Sequence, residues 1–396
     1  MRILTISASP YLLSKLGRIN SCLLKHFKNA GNEVSAACWY YDKSYFLADD
    51  DGKFYFDLED RVCQIHPIDY DVTKSVKQVY EIIKNFQPDV VLSIGDYFET
   101  DFIHAIKSIY PRLFKWVAIL TTNSYPIEKS HKDLLRSIDE AIVTTEDGIA
   151  SMNEMLVTSA IYCNPGYENS IFYQDSKPDN QLTIVANLKN SQASNIPAFI
   201  LGMKALGEMD VNFKAYLHTN LYDKGDYDIR RLVKEYNLGN YLILPEMFCS
   251  LQEGPPNEYL RNLYSKSHIV VDPSLKSASG MNVLEAIGCG CFPIVSKVGA
   301  LKDIVNQSGF GWFISGNRFI GERHQEMEVI SDVALADQIC RYYWEVFRNG
   351  KNEKRWEYSD KISQRFSQEG FVIEVEKAIG RSVGSKQPIL AVDVLT

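Results

Sequence analysis

Apolar positions along this chain alternate between short unbroken runs and longer stretches in which they recur every third or fourth residue. Residues 3–7 form the first run and read as a β-strand; Ile19, Leu23, Leu24 and Phe27 carry helical spacing through residues 19–29. Gly31 stops that helix, and residues 33–39 give the next strand. Residues 9–18 are predicted as a loop at the carboxyl end of the first strand, and the acidic, aromatic stretch 42–60 as an excursion from the core. The alternation then repeats. Val76, Val79, Ile82, Ile83 and Phe86 mark a helix, Pro88-Asp89 a turn and residues 90–94 a strand. Helix 102–109, strand 116–120, a helix ending at 134–137 and strand 141–144 follow, before Asn164-Pro165-Gly166 punctuates the chain.

A second series opens with the strand 182–186. Helix 196–206, strand 213–217, helix 227–236, strand 241–244, helix 257–265, strand 269–271, helix 281–288 and strand 292–295 come after it. Helices at 334–347 and 370–379 end the ordered part, leaving 381–396 as a tail. Short continuous apolar strands separated by helices predict parallel sheets covered on both faces. Two such doubly wound halves place a ligand between them, at the carboxyl ends of the strands.

Composition narrows the class. A chain of 396 residues exceeds what one core usually serves, and 45% hydrophobic with 23% charged residues is a globular balance. The net charge of −8 argues against a broad polyanion-binding surface while leaving room for a local basic cleft. No run approaches the roughly 20 apolar residues of a bilayer span. The eight cysteines are scattered apart from Cys289-Gly290-Cys291, and the seven histidines show no metal-ligand spacing. The expectation is a cytoplasmic protein with no metal and no resident cofactor.

The chemistry concentrates in VVDPSLKSASGMNVLEAIGCGCFPIVSKVGA, residues 270–300, which reads as strand, loop, helix, strand. Ser279 is placed as the helix N-cap, and Gly280 lets the backbone approach a ligand closely. Free N–H groups near Met281, Asn282 and Val283 would then face an anion. Glu285, one turn further on, could accept hydrogen bonds from two ribose hydroxyls. Equally, Glu285 could serve only the helix dipole, with Gly288 and Gly290 as packing glycines.

This segment resembles the donor-site signature of the retaining, family-4-type glycosyltransferases (glycosyl transferases group 1). The likeness rests on Pro273-Ser274, Ser277-Ala278-Ser279-Gly280-Met281, Glu285-Ala286, Gly288-Cys289-Gly290 and Pro293-Ile294. It extends along the chain through Gly166-Tyr167-Glu168-Asn169-Ser170-Ile171-Phe172, Leu217-His218-Thr219 and Phe366-Ser367-Gln368-Glu369-Gly370-Phe371. The resemblance implies an α/β chain of GT-B architecture, with two Rossmann-like domains of doubly wound parallel sheet facing an interdomain cleft. Residues 1–165 would be the acceptor domain, 166–365 the nucleotide-sugar donor domain, 366–380 a helix crossing back to the first domain and 381–396 a tail.

It also implies roles. Glu285 would bind the nucleotide ribose, and the backbone of Gly280, Met281 and Asn282 the diphosphate and sugar. The family's first signature glutamate is replaced by Ser277, which can still hydrogen-bond a sugar hydroxyl. Asn187 stands where the family has arginine, so Lys189 becomes the candidate for neutralising the leaving phosphate, or else is a solvated loop lysine. Gly17 and Arg18 sit where the family's glycine-rich loop approaches the donor, with Arg18 the second phosphate candidate or a surface arginine. Asn123 lies where a histidine often approaches the reacting carbon and could hydrogen-bond the sugar. Asp96 could orient or deprotonate an acceptor, or cap its own loop. Glu246 lies where the nucleobase edge is usually read, or is a plain loop glutamate.

The implied activity is retaining transfer of a sugar from a nucleoside-diphosphate sugar, a UDP-sugar first among them, to an acceptor hydroxyl. The acceptor could be a small molecule, a glycan or a hydroxymethylated base of phage DNA, although the acidic charge weighs against DNA. The rival readings are a sugar-nucleotide epimerase, for which no carboxylate set is evident, and a catalytically impaired sugar-nucleotide-binding protein.

Overall fold

The computed structural model describes residues 1–39, 53–56, 62–69, 72–122, 125–155, 157, 159–221, 225–245, 255–321, 326–350 and 355–384. The first half consists of β1 (Arg2–Ala8), α1 (Lys15–Asn29), β2 (Glu33–Trp39), β3 (Phe54–Phe56), β4 (Cys63–Pro67), α2 (Val72–Phe86), β5 (Val90–Gly95), α3 (Asp101–Ile109), β6 (Lys115–Leu120), α4 (Lys132–Ser137), β7 (Glu140–Val143), α5 (Glu146–Glu154) and β8 (Ala160–Tyr162). Its strands form one sheet in the order β3-β4-β2-β1-β5-β6-β7-β8, parallel except for β3, which runs antiparallel to β4. The central strands are buried almost throughout because helices cover both faces, which is why their sequences are continuous apolar runs.

The second half continues with β9 (Leu182–Asn187), α6 (Ile196–Gly207), β10 (Phe213–His218), α7 (Ile229–Glu235), β11 (Leu242–Ile243), α8 (Asn257–Lys266), β12 (Ile269–Asp272), α9 (Met281–Gly288), β13 (Phe292–Ser296), α10 (Gly299–Ser308) and β14 (Trp312–Ile314). These strands pair in parallel in the order β11-β10-β9-β12-β13-β14, so the winding reverses between β9 and β12. Open α/β sheets bind ligands at such a reversal, outside the carboxyl ends of the strands. An antiparallel hairpin, β15 (Gly316–Ile320) with β16 (Glu326–Ile330), leads into α11 (Asp332–Tyr342), α12 (Arg355–Arg365) and α13 (Gln368–Gly384).

The chain passes between the two sheets twice, and the passages touch. Tyr167 N–H donates to Phe366 O at 3.0 Å, and Gln368 N–H donates to Tyr167 O at 3.1 Å. Gly166 has φ +68°, and a Cβ there would lie 2.3 Å from Phe366 O, so the crossing needs glycine. After the second passage α13 buries Phe371, Val372, Val375, Ala378 and Ile379 in the core of the first sheet.

Several expectations are corrected. Helix α1 starts at Lys15 rather than at residue 19, because Ser14 accepts the Gly17 N–H and caps an extra turn. Residues 54–56, expected within an excursion, join the sheet as an edge strand. The β15–β16 hairpin, β8 and α5 carried too little periodicity to be anticipated. The expected tail is helical as far as Gly384, and residues 385–396 lie outside the described residues.

Candidate functional site at the carboxyl ends of both sheets

The loop after β12 runs through Ser277-Ala278-Ser279-Gly280 into α9, and both halves of the protein hold it. Thr144, following β7, donates its hydroxyl to Ala278 O at 2.7 Å; Asn164 Nδ2 donates to Ser279 O at 3.0 Å. From the second half, Ala300 N–H donates to Ser277 O at 3.0 Å. The N-cap of α9 is Gly280, with φ +61°, and not Ser279. A left-handed cap turns the chain so that Ser279 cannot reach back to the helix amides, and the Ser279 hydroxyl is buried without a partner among the described residues. The N–H groups of Met281 and Asn282 likewise have no acceptor there, while Val283 and Leu284 both donate to Gly280 O. A short helix with two open amides and an orphan hydroxyl at its start is equipped for an anionic or hydroxyl-bearing ligand.

Glu285 is 2% exposed and projects toward the opposite half, where Arg18 Nη1 meets its Oε1 at 2.6 Å. Arg18 keeps 18% of its side chain exposed, and its guanidinium carbon lies 5.6 Å from the Phe172 ring centroid. Burial pushes the Glu285 carboxyl above its usual range, against the pull of Arg18 and Lys15. Lys15 stands one turn before Arg18 on α1 and feels the charges of Asp272 and Glu285. It is exposed, yet protein crowds it closely enough that desolvation lowers its pKa. Two cations from α1 thus face two carboxylates from the second half.

Most remaining candidates have structural partners. Asn282 Nδ2 donates to Asn187 O at 3.1 Å and to the buried Asp272 at 2.9 Å; Asn187 Nδ2 donates to Tyr264 Oη at 2.7 Å. These bonds tie the ends of β9 and β12 to α9 and α8. Met281 packs its side chain into the core of the first sheet, leaving only its backbone for a ligand. Gly17 lies in the first turn of α1 rather than in a loop, and a Cβ there would come within 2.2 Å of Leu12 O. Asp96 caps the turn Tyr97–Thr100, accepting Tyr97 N–H at 2.8 Å in a reciprocal capping box with Glu99. Burial raises its pKa to about 6, and Lys276 of the second half faces it across the cleft. Lys189 is exposed, with no bond to another side chain among the described residues. Asn123 and Glu246 lie outside the described residues.

Lys15, Asp272, Tyr264, Thr144 and Asn164 were not anticipated. Only Lys15 left a signal: Ser14 followed by Lys15 and Arg18 places both cations on adjoining turns once Ser14 is read as a cap. Beside this group the ends of β10 and β11 open into a cleft of about 440 Å³, lined by His218, Leu244, Pro245, Tyr259 and Leu263 among others. His218 is buried with Nδ1 unpartnered among the described residues, and burial lowers its pKa to about 4, so it is neutral at physiological pH. The Tyr259 ring lies 5.6 Å from it. Among the described residues no cluster of His, Cys, Asp and Glu could hold a metal ion, and no helix is long and apolar enough to cross a membrane.

Comparison with known proteins agrees with this fold. Sucrose-phosphate synthase from Thermosynechococcus elongatus superposes with a TM-score of 0.76 at 16% identity, covering 98% of this chain and 100% of that one. Anabaena HepE, solved with UDP and with UDP-glucose, superposes at 0.68 and 0.67, with 14% identity and 96% of this chain covered against 100% of that one. The fold is GT-B. Residues 172–321 match the family described as glycosyl transferases group 1, and the chain resembles that group. A curated relative, glycogen synthase of Aquifex aeolicus (strain VF5), is 27% identical over 109 residues, 27% of this chain. That match spans only 20% of the relative's length. The group 1 region of this GT-B chain contains β9 to β14, α9 and Glu285, the whole second-half side of the site.

Proposed function

We propose that this protein transfers a sugar from a nucleoside-diphosphate sugar, a UDP-sugar, to an acceptor hydroxyl with retention at the anomeric carbon. The observation that carries the reading is Glu285: a buried carboxylate one turn into a helix with open N-terminal amides, turned into the cleft toward cations of the other half. In this reading the ribose hydroxyls donate to Glu285. The diphosphate sits at the amides of Met281 and Asn282 and is neutralised by Arg18 and Lys15, with Lys189 at the outer edge. The base enters the cleft between His218, Leu244, Pro245 and Tyr259. Ser277 and the orphan hydroxyl of Ser279 are placed to bond sugar hydroxyls, and Asp96 borders the acceptor side.

The bond between the anomeric carbon and the β-phosphate oxygen breaks as the acceptor oxygen bonds the same face of that carbon. The acceptor proton passes to the departing diphosphate, giving the glycosylated acceptor and free nucleoside diphosphate. The protein aligns the two substrates and stabilises charge on the leaving group, without a nucleophile of its own. HepE complexes with UDP and UDP-glucose support a uridine donor. The acceptor class spans small molecules and glycans.

A thermal-shift screen against nucleotide sugars tests this directly, since a ligand that binds only the folded state raises Tm by linkage. A UDP-sugar is expected to stabilise the protein, and Glu285→Ala to remove that shift while the unliganded Tm stays near its original value. Full stabilisation of Glu285→Ala by the same donor would refute the ribose role. Donor bound without hydrolysis or transfer would instead identify a binding homologue, a reading that the uncharged Asn187, tied to Tyr264, favours.

A further inference from the structure

Arg18 and Glu285 are unequal partners, and the inequality bears on which ligands the cleft admits. The carboxylate is 2% exposed and cannot turn to water, whereas the guanidinium, at 18%, borders the open cleft and lies over the Phe172 ring. The ion pair itself, at 2.6 Å, occupies Oε1 of the carboxylate to which ribose hydroxyls would donate. A ribose that sets its two hydroxyls on both oxygens of Glu285 therefore has to displace Arg18, and a displaced cation needs a new anion nearby. Lys15 already stands beside it, so moving Arg18 toward Lys15 without an added anion brings like charges together.

We infer that Arg18 acts as the specificity-determining residue for the diphosphate: it closes Glu285 to ribose until a diphosphate takes the guanidinium in exchange. The inference rests on the donor-site reading of Glu285 and adds a selection rule to it. A nucleoside diphosphate satisfies both exchanged partners at once, with ribose hydroxyls on the carboxylate and phosphate oxygens on the guanidinium, a geometry that arginine matches in bidentate fashion. A nucleoside breaks the pair and replaces only one half of it. Binding of the leaving diphosphate and binding of the ribose are thereby coupled through one side chain donated by the opposite half of the protein. Release of the intact nucleoside diphosphate after transfer frees both partners, and the pair re-forms.

The test is isothermal titration of uridine, UMP and UDP into the full chain and its Arg18→Ala, Arg18→Lys and Glu285→Gln variants, each checked by its unliganded melt. Removing the guanidinium is expected to move the ligands in opposite directions: uridine binds Arg18→Ala roughly tenfold more tightly than the parent, and UDP roughly tenfold more weakly. The preference for UDP over uridine collapses by about a hundredfold. Arg18→Lys, which restores a cation opposite Glu285, returns uridine toward its parental affinity. Uridine that binds Arg18→Ala no better than the parent, or too weakly to detect, overturns the exchange. Glu285→Gln separates the two readings: if it weakens uridine and UDP while Arg18→Ala fails to tighten uridine, the donor site stands and the exchange falls. If it leaves both ligands unaffected, the donor-site reading falls as well.

Discussion

The hydroxyl of Thr144 donates to the carbonyl oxygen of Ala278 at 2.7 Å, joining the end of β7 in one half to the loop before α9 in the other. Thr144 is fully buried, so its loss leaves a carbonyl short of a partner in a dry environment. Thr144→Val preserves the shape and removes the donor. It is expected to cost about 1–2 kcal/mol in urea unfolding. UDP affinity is expected to fall severalfold, because only the Asn164 bond to Ser279 O then holds the Ser277–Gly280 turn from the first half. An unchanged affinity alongside the stability loss would show that Asn164 and Ala300 suffice to fix the turn.

The turn also depends on Gly280. Its φ of +61° is strained for any other L-residue, and a Cβ there would lie 2.4 Å from Ile304 Cδ1. Gly280→Ala therefore meets both backbone strain and a steric clash, and is expected to lower stability by about 2 kcal/mol or more. Donor binding should fall with it, since relief of the clash moves the open amides of Met281 and Asn282. A melt within a degree of the parent would show that the glycine is there for the ligand and not for the chain.

These two residues show how unevenly the site was written into the sequence. Gly280 and Glu285 were legible because a glycine at a helix start lets the backbone approach a ligand and because Glu285-Ala286 stands at the place the resembled donor-site signature gives its ribose-binding glutamate. The strands were legible for a different reason: β5 and β6 are covered on both faces, so their apolar runs are unbroken. Thr144, Asn164 and Asp272 were not legible, since each acts on a loop or helix distant in sequence and nothing local distinguishes it from an ordinary polar residue. The start of α1 was misplaced because Gly17 disguises a first turn as a loop. Its glycine answers to the Leu12 carbonyl, a contact that exists only after folding.

Asp303 gives a pH dependence with a definite sign. It accepts Glu146 N–H through Oδ2 at 2.8 Å across the two halves, while Oδ1 is buried without a partner among the described residues. Burial raises its pKa to about 7, with Glu146 and Asp147 adding to the rise and Lys302 opposing it. The folded protein then holds a proton that the unfolded chain releases near pH 4, so this group's contribution to stability declines as pH rises from about 4 to about 7. Asp303→Asn keeps the acceptor and removes the titration. Relative to the parent it should gain stability progressively over that window, reaching on the order of 3 kcal/mol at pH 8. Parallel stability curves for parent and variant between pH 4 and 8 would refute the buried proton.

Lys189 provides the sharpest division between binding and chemistry. It is exposed on the loop after β9 and bonds no other side chain among the described residues, so Lys189→Ala should change stability by less than about 0.5 kcal/mol. Lys15 and Arg18 already face the position assigned to the ground-state diphosphate, so UDP affinity should also change little. The charge that develops on the β-phosphate as the glycosidic bond breaks is a different matter, because a cation reaching it only then lowers the barrier without tightening the ground state. Single-turnover transfer by Lys189→Ala should consequently slow by roughly a hundredfold while the UDP dissociation constant holds. Should the rate hold as well, leaving-group stabilisation belongs to the α1 cations alone, and Lys15→Ala should then lower turnover and UDP affinity together.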